Sequence, residues 1–268
     1  MCKVAKVGFS ILNLNITRRY LRLGDFNQAE AYVRKNQALI QEARGWRNYG
    51  GYRRPTWERL VETGKAHLYE ARGQFREAEA SYRRAEIWMV ENIRQLPTYD
   101  ILPPPPDQLQ RATDELIAAQ GRMKARQGRI AEGEADVRRA LLSRLKATGK
   151  FNLSTAHFIG YLANMLIEQG RYAEAEQLTR QQLEIQQTLG VTKDSQNYPP
   201  VLGQLATILN LQNRWADAAT VYSEIDEATK SWEPARREAL VLSSEHIATL
   251  YNTNNLTAGI AEIGRAHV

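Results

Sequence analysis

A turn motif recurs along the chain, and apolar and small residues flank it with the spacing of paired helices. Each copy has a Gly or Asn, a polar residue, a large apolar residue and, three positions later, a small residue. The copies are GDFNQAE (Gly24–Glu30), GQFREAE (Gly73–Glu79), GRIAEGE (Gly128–Glu134), GRYAEAE (Gly170–Glu176), NRWADAA (Asn213–Ala219) and NNLTAGI (Asn254–Ile260). Gly and Asn tolerate the left-handed conformation that ends a helix. The pattern therefore predicts helix–turn–helix units. In each, the large residue opens the second helix and inserts between the pair, and the small residue permits close approach.

The residues ahead of each turn extend the pattern into the preceding helix. A small residue lies nine positions before the large turn residue at Ala66, Gly121, Ala163 and Ala206. A large residue lies six positions before it at Tyr20, Tyr69, Leu166, Leu209 and Leu250. With these positions the pattern resembles the tetratricopeptide repeat, over roughly residues 9 to 262. The resemblance implies an all-α fold, a right-handed α-solenoid of about six helix pairs, within a repeat array that we place at residues 1–262.

The last units recur about every 42 residues, which is longer than the usual ~34 of this repeat. In this respect they resemble the long repeat units of kinesin light chains. The segment Tyr172–Gly190 predicts an extended second helix that stops at Gly190. The first two intervals are longer still, and we assign their excess to insertions at about residues 43–57 and 96–108.

The first insertion is basic and aromatic and contains no acidic residue. Its candidate ligand-binding side chains are Arg47, Arg53, Arg54, Trp46 and Tyr52. Basic residues interleaved with aromatics can bind single-stranded nucleic acid. The interpretation that we favour is a loop whose aromatic residues pack inwards while its arginines stay solvated. The second insertion contains four consecutive prolines and predicts an extended connector.

Composition excludes several classes of protein. The chain has 268 residues, 43% of them hydrophobic and 25% charged, with a net charge of +6, as in an ordinary folded protein. No apolar run approaches the ~18 residues of a membrane span. The single cysteine, Cys2, permits no internal disulfide. We expect a cytoplasmic protein, with export through the N-terminal apolar stretch as the alternative.

No catalytic site is predicted. The histidines, His67, His157, His246 and His267, lie in separate repeats or at the end of the chain, without the spacing of metal ligands. We interpret each as an ordinary helix-face residue. The segment Thr63–Ala66 lacks the first Gly and the final Ser or Thr of a phosphate-binding loop. We therefore expect no enzyme activity in this chain, no metal and no cofactor.

Tetratricopeptide repeats bind partners on the inner surface that the first helix of each pair lines. The corresponding positions here point to Arg18, Arg122, Arg126, His157, Asn164 and Asn210. Most of these side chains donate hydrogen bonds, so a protein or peptide with acidic groups is the expected partner. The carboxylate clamp of chaperone-binding repeats is absent, because Gly160 stands where its first Lys is required.

Two segments, Arg122–Asn152 and Glu168–Gly190, resemble the repeat region of bacterial CHAT-domain proteins, in which a caspase-like protease domain follows such repeats. The resemblance implies the scaffolding or sensing part of a larger protein, whose partner is then a domain that this chain lacks. The final residues, Ile263–Val268, match a sequencing adapter, and we expect them to be artefactual and the chain to be a fragment. Two alternatives stay open: the ligand-sensing repeats of a transcriptional regulator, and a nucleic-acid-binding repeat protein.

Overall fold

The fold is all-α in every part of the chain that the computed structural model describes, residues 3–45, 53–95, 105–233, 237 and 244–253. These residues form eleven helices and no strand. The helices are α1 (Lys3–Arg22), α2 (Phe26–Arg44), α3 (Arg53–Ala71), α4 (Phe75–Gln95), α5 (Pro106–Arg126), α6 (Ile130–Thr148), α7 (Leu153–Glu168), α8 (Tyr172–Thr188), α9 (Tyr198–Leu211), α10 (Trp215–Ala228) and α11 (Ser244–Asn252). The predicted fold class is confirmed.

The predicted turn residues end the first helix of each described pair. Five of them have positive φ angles, at Gly24 (73°), Gly73 (72°), Gly128 (83°), Gly170 (73°) and Asn213 (59°). The N–H of the residue that follows each turn Gly or Asn then donates a hydrogen bond to a carbonyl of the last helical turn. The Arg171 N–H, for example, donates to the Leu166 carbonyl oxygen at 2.9 Å. This is the Schellman ending of a helix. The large turn residue opens the following helix in all five pairs. The sixth motif, Asn254–Ile260, lies outside the described residues.

Small residues bring the paired helices together, as predicted. Ala29, Ala78, Ala175 and Ala218 are fully buried at the same position in four pairs. In the pair α5–α6 both facing positions are glycine, and a Cβ on Gly121 would lie 2.6 Å from the Gly133 carbonyl oxygen. The expectation that the large turn residue inserts between the helices is wrong at Phe26 and Ile130, which stay 38% and 45% exposed, because the three-residue turn before each of them leaves one edge of the side chain in solvent.

The chain forms two compact units, residues 1–147 and 148–268. In the first unit, apolar residues of α2 and α3 pack together, and a second cluster joins α3, α4 and α5. The second cluster contains Ala66, Ala78, Tyr82, Ala85, Met89, Leu116, Ala119 and Met123. In the second unit the main cluster spans α8, α9 and α10 and includes Tyr198, Leu205, Tyr222 and Ile225.

The helices extend into both expected insertions, so the interpretation of residues 43–57 as a loop throughout is corrected. Helix α2 continues to Arg44 and α3 begins at Arg53. Trp57 is 5% exposed and packs against Ile40, Ala43 and Val61, as expected of an aromatic residue that packs inwards. Pro105 caps α5 in an extended conformation, and Pro106 is the first helical residue. Residues 46–52, 96–104 and 263–268 lie outside the described part.

Candidate partner-binding site

The first helices of the first unit place three basic side chains at one repeat position, six residues ahead of the turn Gly. These are Arg18 on α1, His67 on α3 and Arg122 on α5. The Arg18 Nε lies 3.5 Å from the His67 Nδ1, a long hydrogen bond. The Arg122 Nη2 lies 3.5 Å from the Glu70 Oε1, one helical turn from His67. We call Arg18, His67 and Arg122 the Arg–His–Arg row. It unites two predicted groove arginines with a histidine interpreted from sequence as an ordinary helix-face residue.

The imidazole of His67 is neutral at physiological pH. Burial, together with the positive charges of Arg18 and Arg122, lowers its pKa to about 3. Because Arg18 donates to Nδ1, the neutral ring carries its hydrogen on Nε2. His67 is therefore a neutral hydrogen-bond donor between two guanidinium groups.

Tyr82 and Glu70 form contacts that hold the row in place. The Tyr82 hydroxyl donates to the Glu70 Oε2 at 2.5 Å, and its ring meets the His67 ring edge-on, with centroids 5.9 Å apart. Burial raises the pKa of Tyr82 well above its usual value, and the charge of Glu70 raises it further. The phenol therefore stays protonated and holds the Glu70 carboxylate in place.

Arg59 adds a third guanidinium near the row. Burial lowers its pKa, the Glu115 carboxylate opposes this, and the Arg18 charge lowers the pKa again. The charged groups around the row thus include Arg18, Arg59 and Arg122 and the carboxylates of Glu70 and Glu115. Glu115 also lies 3.8 Å from Arg111, so the positive charges outnumber the negative ones. Such a surface attracts an anion.

The second unit presents a different surface at the same repeat position. Asn164 is exposed on α7, and its Oδ1 accepts a hydrogen bond from the Gln204 Nε2 of α9 at 2.9 Å. Two turns earlier on α7, the exposed His157 ring lies with its Nε2 2.7 Å from the Tyr161 hydroxyl. The face that carries predicted groove residues is therefore amide-rich and aromatic here, and not cationic.

Two of the predicted groove residues serve other contacts. Asn210 is only 7% exposed, and its Oδ1 accepts a hydrogen bond from the Thr249 Oγ1 of α11 at 2.8 Å. Arg126 lies at the end of α5 with its guanidinium 5.7 Å from the centre of the Phe75 ring. The Asn210–Thr249 hydrogen bond joins α9 to α11, which are the first helices of successive pairs. Arg126 covers the ring of the large turn residue that opens α4.

The basic-aromatic insertion is described only at its edge. The Arg54 guanidinium lies 5.4 Å from the centre of the Trp88 ring, a cation–π contact within the protein. Trp46, Arg47 and Tyr52 lie outside the described residues, as does the side chain of Arg53.

Ion pairs between successive repeats were not predicted. The last residue of the turn motif is Glu in four copies. In three of these copies the Glu carboxylate forms an ion pair with an arginine of the next repeat. Arg72 bonds to Glu30 at 2.7 Å, Arg214 bonds to Glu176 at 2.8 Å, and Arg129 bonds to Glu79. The hydrogen bond from Arg72, followed by that from Arg34, lowers the pKa of the Glu30 carboxyl. The motif Glu thus fastens one repeat to the next.

The described residues show no cluster of three or more side chains able to hold a metal ion. Among the described helices, none combines the length and the apolar character needed to cross a membrane.

Comparison with known proteins supports a tetratricopeptide fold. Residues 155–196 match the family profile described as tetratricopeptide repeat. A search of curated protein sequences gave no match. The structure is similar to BtubC (BKLC) from P. vanneervenii, with a TM-score of 0.65, 18% identity and 89% of each chain covered.

Two further solved structures share the fold. One is a putative kinesin light chain from Podosopora anserina (TM-score 0.54, 16% identity), matched over 83% of this chain and 96% of that one. The other is a signal transduction ATPase with numerous domains, with a tetratricopeptide repeat sensor, from Pyrococcus horikoshii (TM-score 0.58, 12% identity). There the match covers 96% of this chain and 35% of that one. The chain therefore has the fold of a tetratricopeptide α-solenoid, of which kinesin-light-chain-like proteins are structural neighbours.

Proposed function

We propose that this chain is a protein-interaction scaffold or sensor region that binds an acidic segment of a partner on its first-helix face. The Arg–His–Arg row carries the proposal. Arg18 and Arg122 converge from two helices on a neutral histidine, and the arginines nearby outnumber the carboxylates. Guanidinium groups pair with carboxylates through two parallel hydrogen bonds, which gives both affinity and orientation.

The partner class follows from the size and charge of this surface. A nucleic acid is held through many phosphate contacts along a continuous basic track. The Arg–His–Arg row is short, and Glu70 and Glu115 interrupt its positive charge. In the described part of the insertion that prompted the nucleic-acid alternative, Trp57 is buried and Arg54 already lies over the Trp88 ring of α4, so neither of these two insertion residues is placed to contact a base. An acidic peptide fits these features better.

A sensor role has one specific observation in its favour. The Pyrococcus horikoshii protein matched above carries its tetratricopeptide repeats as a sensor within a chain of which only 35% is covered. By analogy, the present repeats report on a partner to other domains of a parent protein. The resemblance of Arg122–Asn152 and Glu168–Gly190 to bacterial CHAT-domain proteins suggests that parent. The partner is then either a foreign protein or the protease domain itself. A parent with a DNA-binding domain is the second candidate.

Panning a random peptide display library on the purified full chain tests the proposal. We expect enrichment of peptides rich in Asp and Glu, and at least tenfold weaker binding of these peptides to the double variant R18Q/R122Q. The double variant R138Q/R139Q is the matched control, since it removes the same charge from exposed positions of α6 in the same unit. Failure to enrich any acidic peptide, or an equal loss in the control, would refute the proposed function.

A binding assay with a labelled single-stranded oligonucleotide decides the nucleic-acid alternative. Under the proposed function, binding at physiological salt is weak and unchanged in the variant R53S/R54S. Tight binding that this variant abolishes would favour the alternative instead.

A further inference from the structure

We propose that the Arg–His–Arg row holds a single carboxylate of the partner between Arg18 and Arg122, and that His67 takes up a proton as the carboxylate binds. This inference rests on the proposed function and adds to it the ligand group, its subsite and a dependence on pH.

The donors come from three helices and face one region. Helix α1 packs against α3, and Arg18 reaches across to the His67 Nδ1. From the other side, Arg122 on α5 reaches Glu70, one turn along α3 from His67. Packed helices lie about 8–10 Å apart, so a carboxylate above α3 lies within reach of both arginine side chains. The Nε2–H of His67 adds a donor between them.

The charge of the surroundings favours an anion of low charge. Arg18, Arg59 and Arg122 contribute positive charges, and Arg111, 3.8 Å from Glu115, adds another. The Glu70 carboxylate accepts a hydrogen bond from the Tyr82 hydroxyl at 2.5 Å and lies 3.5 Å from Arg122, so it repels a bound anion. This repulsion is stronger for a phosphate, which carries about two negative charges at neutral pH, than for a single carboxylate.

The proton uptake follows from the groups that face His67. They are Arg18 from α1, Glu70 from α3 itself, Tyr82 from α4 and Arg122 from α5. Without a ligand, burial and the two arginine charges keep the ring neutral. A bound carboxylate offsets those charges and accepts from the Arg18 guanidinium, which then releases the His67 Nδ1. The added proton goes to this nitrogen, both ring N–H groups become donors, and the carboxylate raises the pKa of His67. By linkage, protonation of His67 must then strengthen carboxylate binding.

The test uses the full chain with isotope-labelled histidine, observed by NMR, and the H67N variant to assign the His67 signals. Acetate is the probe, with chloride at equal ionic strength as the reference and inorganic phosphate as a second arm. We expect acetate to shift the His67 signals beyond the effect of chloride. We also expect its affinity to rise at least threefold from pH 7.5 to pH 5.5, where acetate is still ionised. Phosphate should bind more weakly than acetate at pH 7.5.

Variants separate the subsite from general charge effects. Both R18Q and R122Q should weaken acetate binding at least fivefold, whereas R139Q, on the outer helix α6, should leave it unchanged. In H67N the pH dependence between 7.5 and 5.5 should disappear. Binding equal to that of chloride, tighter binding of phosphate, or a pH dependence that persists in H67N would each overturn the inference. The proposed function is decided separately: it stands if acidic peptides are still enriched and still bind more weakly to R18Q/R122Q, because several carboxylates of a peptide can pair with the arginines without the single subsite proposed here.

Discussion

The contact between Gly121 and Gly133 predicts that one type of substitution has opposite effects at two glycines of the first unit. Replacing a glycine inside a helix by alanine ordinarily stabilises the protein by about 1 kcal/mol. At Gly64 on α3, the added methyl group would lie 3.6 Å from the Leu14 Cδ1 and 3.7 Å from the Val33 Cγ2, which are normal contacts. We therefore expect G64A to keep the full gain of about 1 kcal/mol.

At Gly121 the same methyl group has no room. It would lie 2.6 Å from the Gly133 carbonyl oxygen and 3.0 Å from both the Asp136 Cβ and the Val137 Cγ2. A backbone oxygen cannot rotate away, so α5 and α6 must move apart. Overpacking of this kind costs about 3 kcal/mol at the upper end of the usual range. After subtraction of the helix-propensity gain, we expect G121A to destabilise the unit by about 2 kcal/mol.

Urea unfolding, followed by far-ultraviolet circular dichroism, measures both variants against the parent chain. The G64A midpoint should move to higher urea and the G121A midpoint to lower urea, with unchanged slopes. Because both sites lie in the first unit, they report on the same transition. A G121A variant as stable as the parent, or shifts of the same sign in both variants, would refute the close helix contact.

Three further predictions concern charged groups. Asp114 accepts a hydrogen bond from the fully buried Arg144 at 2.7 Å, so D114N should cost about 3 kcal/mol of unfolding free energy; a loss below about 1 kcal/mol contradicts this. Burial raises the pKa of Glu176, but hydrogen bonds, chiefly from Arg180, outweigh it and lower the pKa. E176Q should therefore cost about 1 kcal/mol at pH 7, and this cost should decrease as pH falls through the folded pKa and vanish once the carboxyl is protonated. A loss that persists in acid excludes the ion pair as its cause. In the folded protein the pKa of His67 is lowered to about 3, so above pH 3 a proton binds to His67 mainly in the unfolded state. Stability should thus fall by up to about 2 kcal/mol from pH 7.5 to pH 5 in the parent, and this decrease should be absent from H67N.

The sequence predicted the paired helices because their turns depend on local backbone conformation. A residue such as Gly170 or Asn213 adopts a positive φ at little cost, so a helix can end there. The length of α8 was predicted for the same reason, since Gly190 also has a positive φ. The wrong expectations for Phe26 and Ile130 concern exposure, which depends on tertiary packing.

The candidate site was predicted only in part. Arg18 and Arg122 were selected from their repeat positions, but His67 was interpreted as an ordinary helix-face residue. Its partner Arg18 lies 49 residues away, so no local pattern joins them. A signal was present nonetheless. When the repeats are aligned on their turn glycines, Arg18, His67 and Arg122 occupy one column.

Arg144 illustrates what sequence pattern cannot provide. It lies on the second helix of its pair, among exposed arginines such as Arg138 and Arg139, yet its side chain is fully buried. Nothing in the spacing distinguishes it from its neighbours. Only the packing of α5 against α6 places Asp114 within hydrogen-bonding distance and makes burial of the charge tolerable.

The repeat position of the Arg–His–Arg row is where the repeats differ in chemistry while their architecture stays the same. The turn residue and the small packing residue are restricted by backbone geometry and close contact, as at Gly170 and Ala175. Six residues ahead of the turn, by contrast, the side chain is Arg18, His67, Arg122 or Asn164 in successive repeats. Since packing tolerates all four, packing does not determine their identity. Under the proposed function, an acidic segment bound to the first unit therefore meets cationic groups at this position, whereas the second unit presents Asn164 there, so we expect the two units to differ in the segments that they bind.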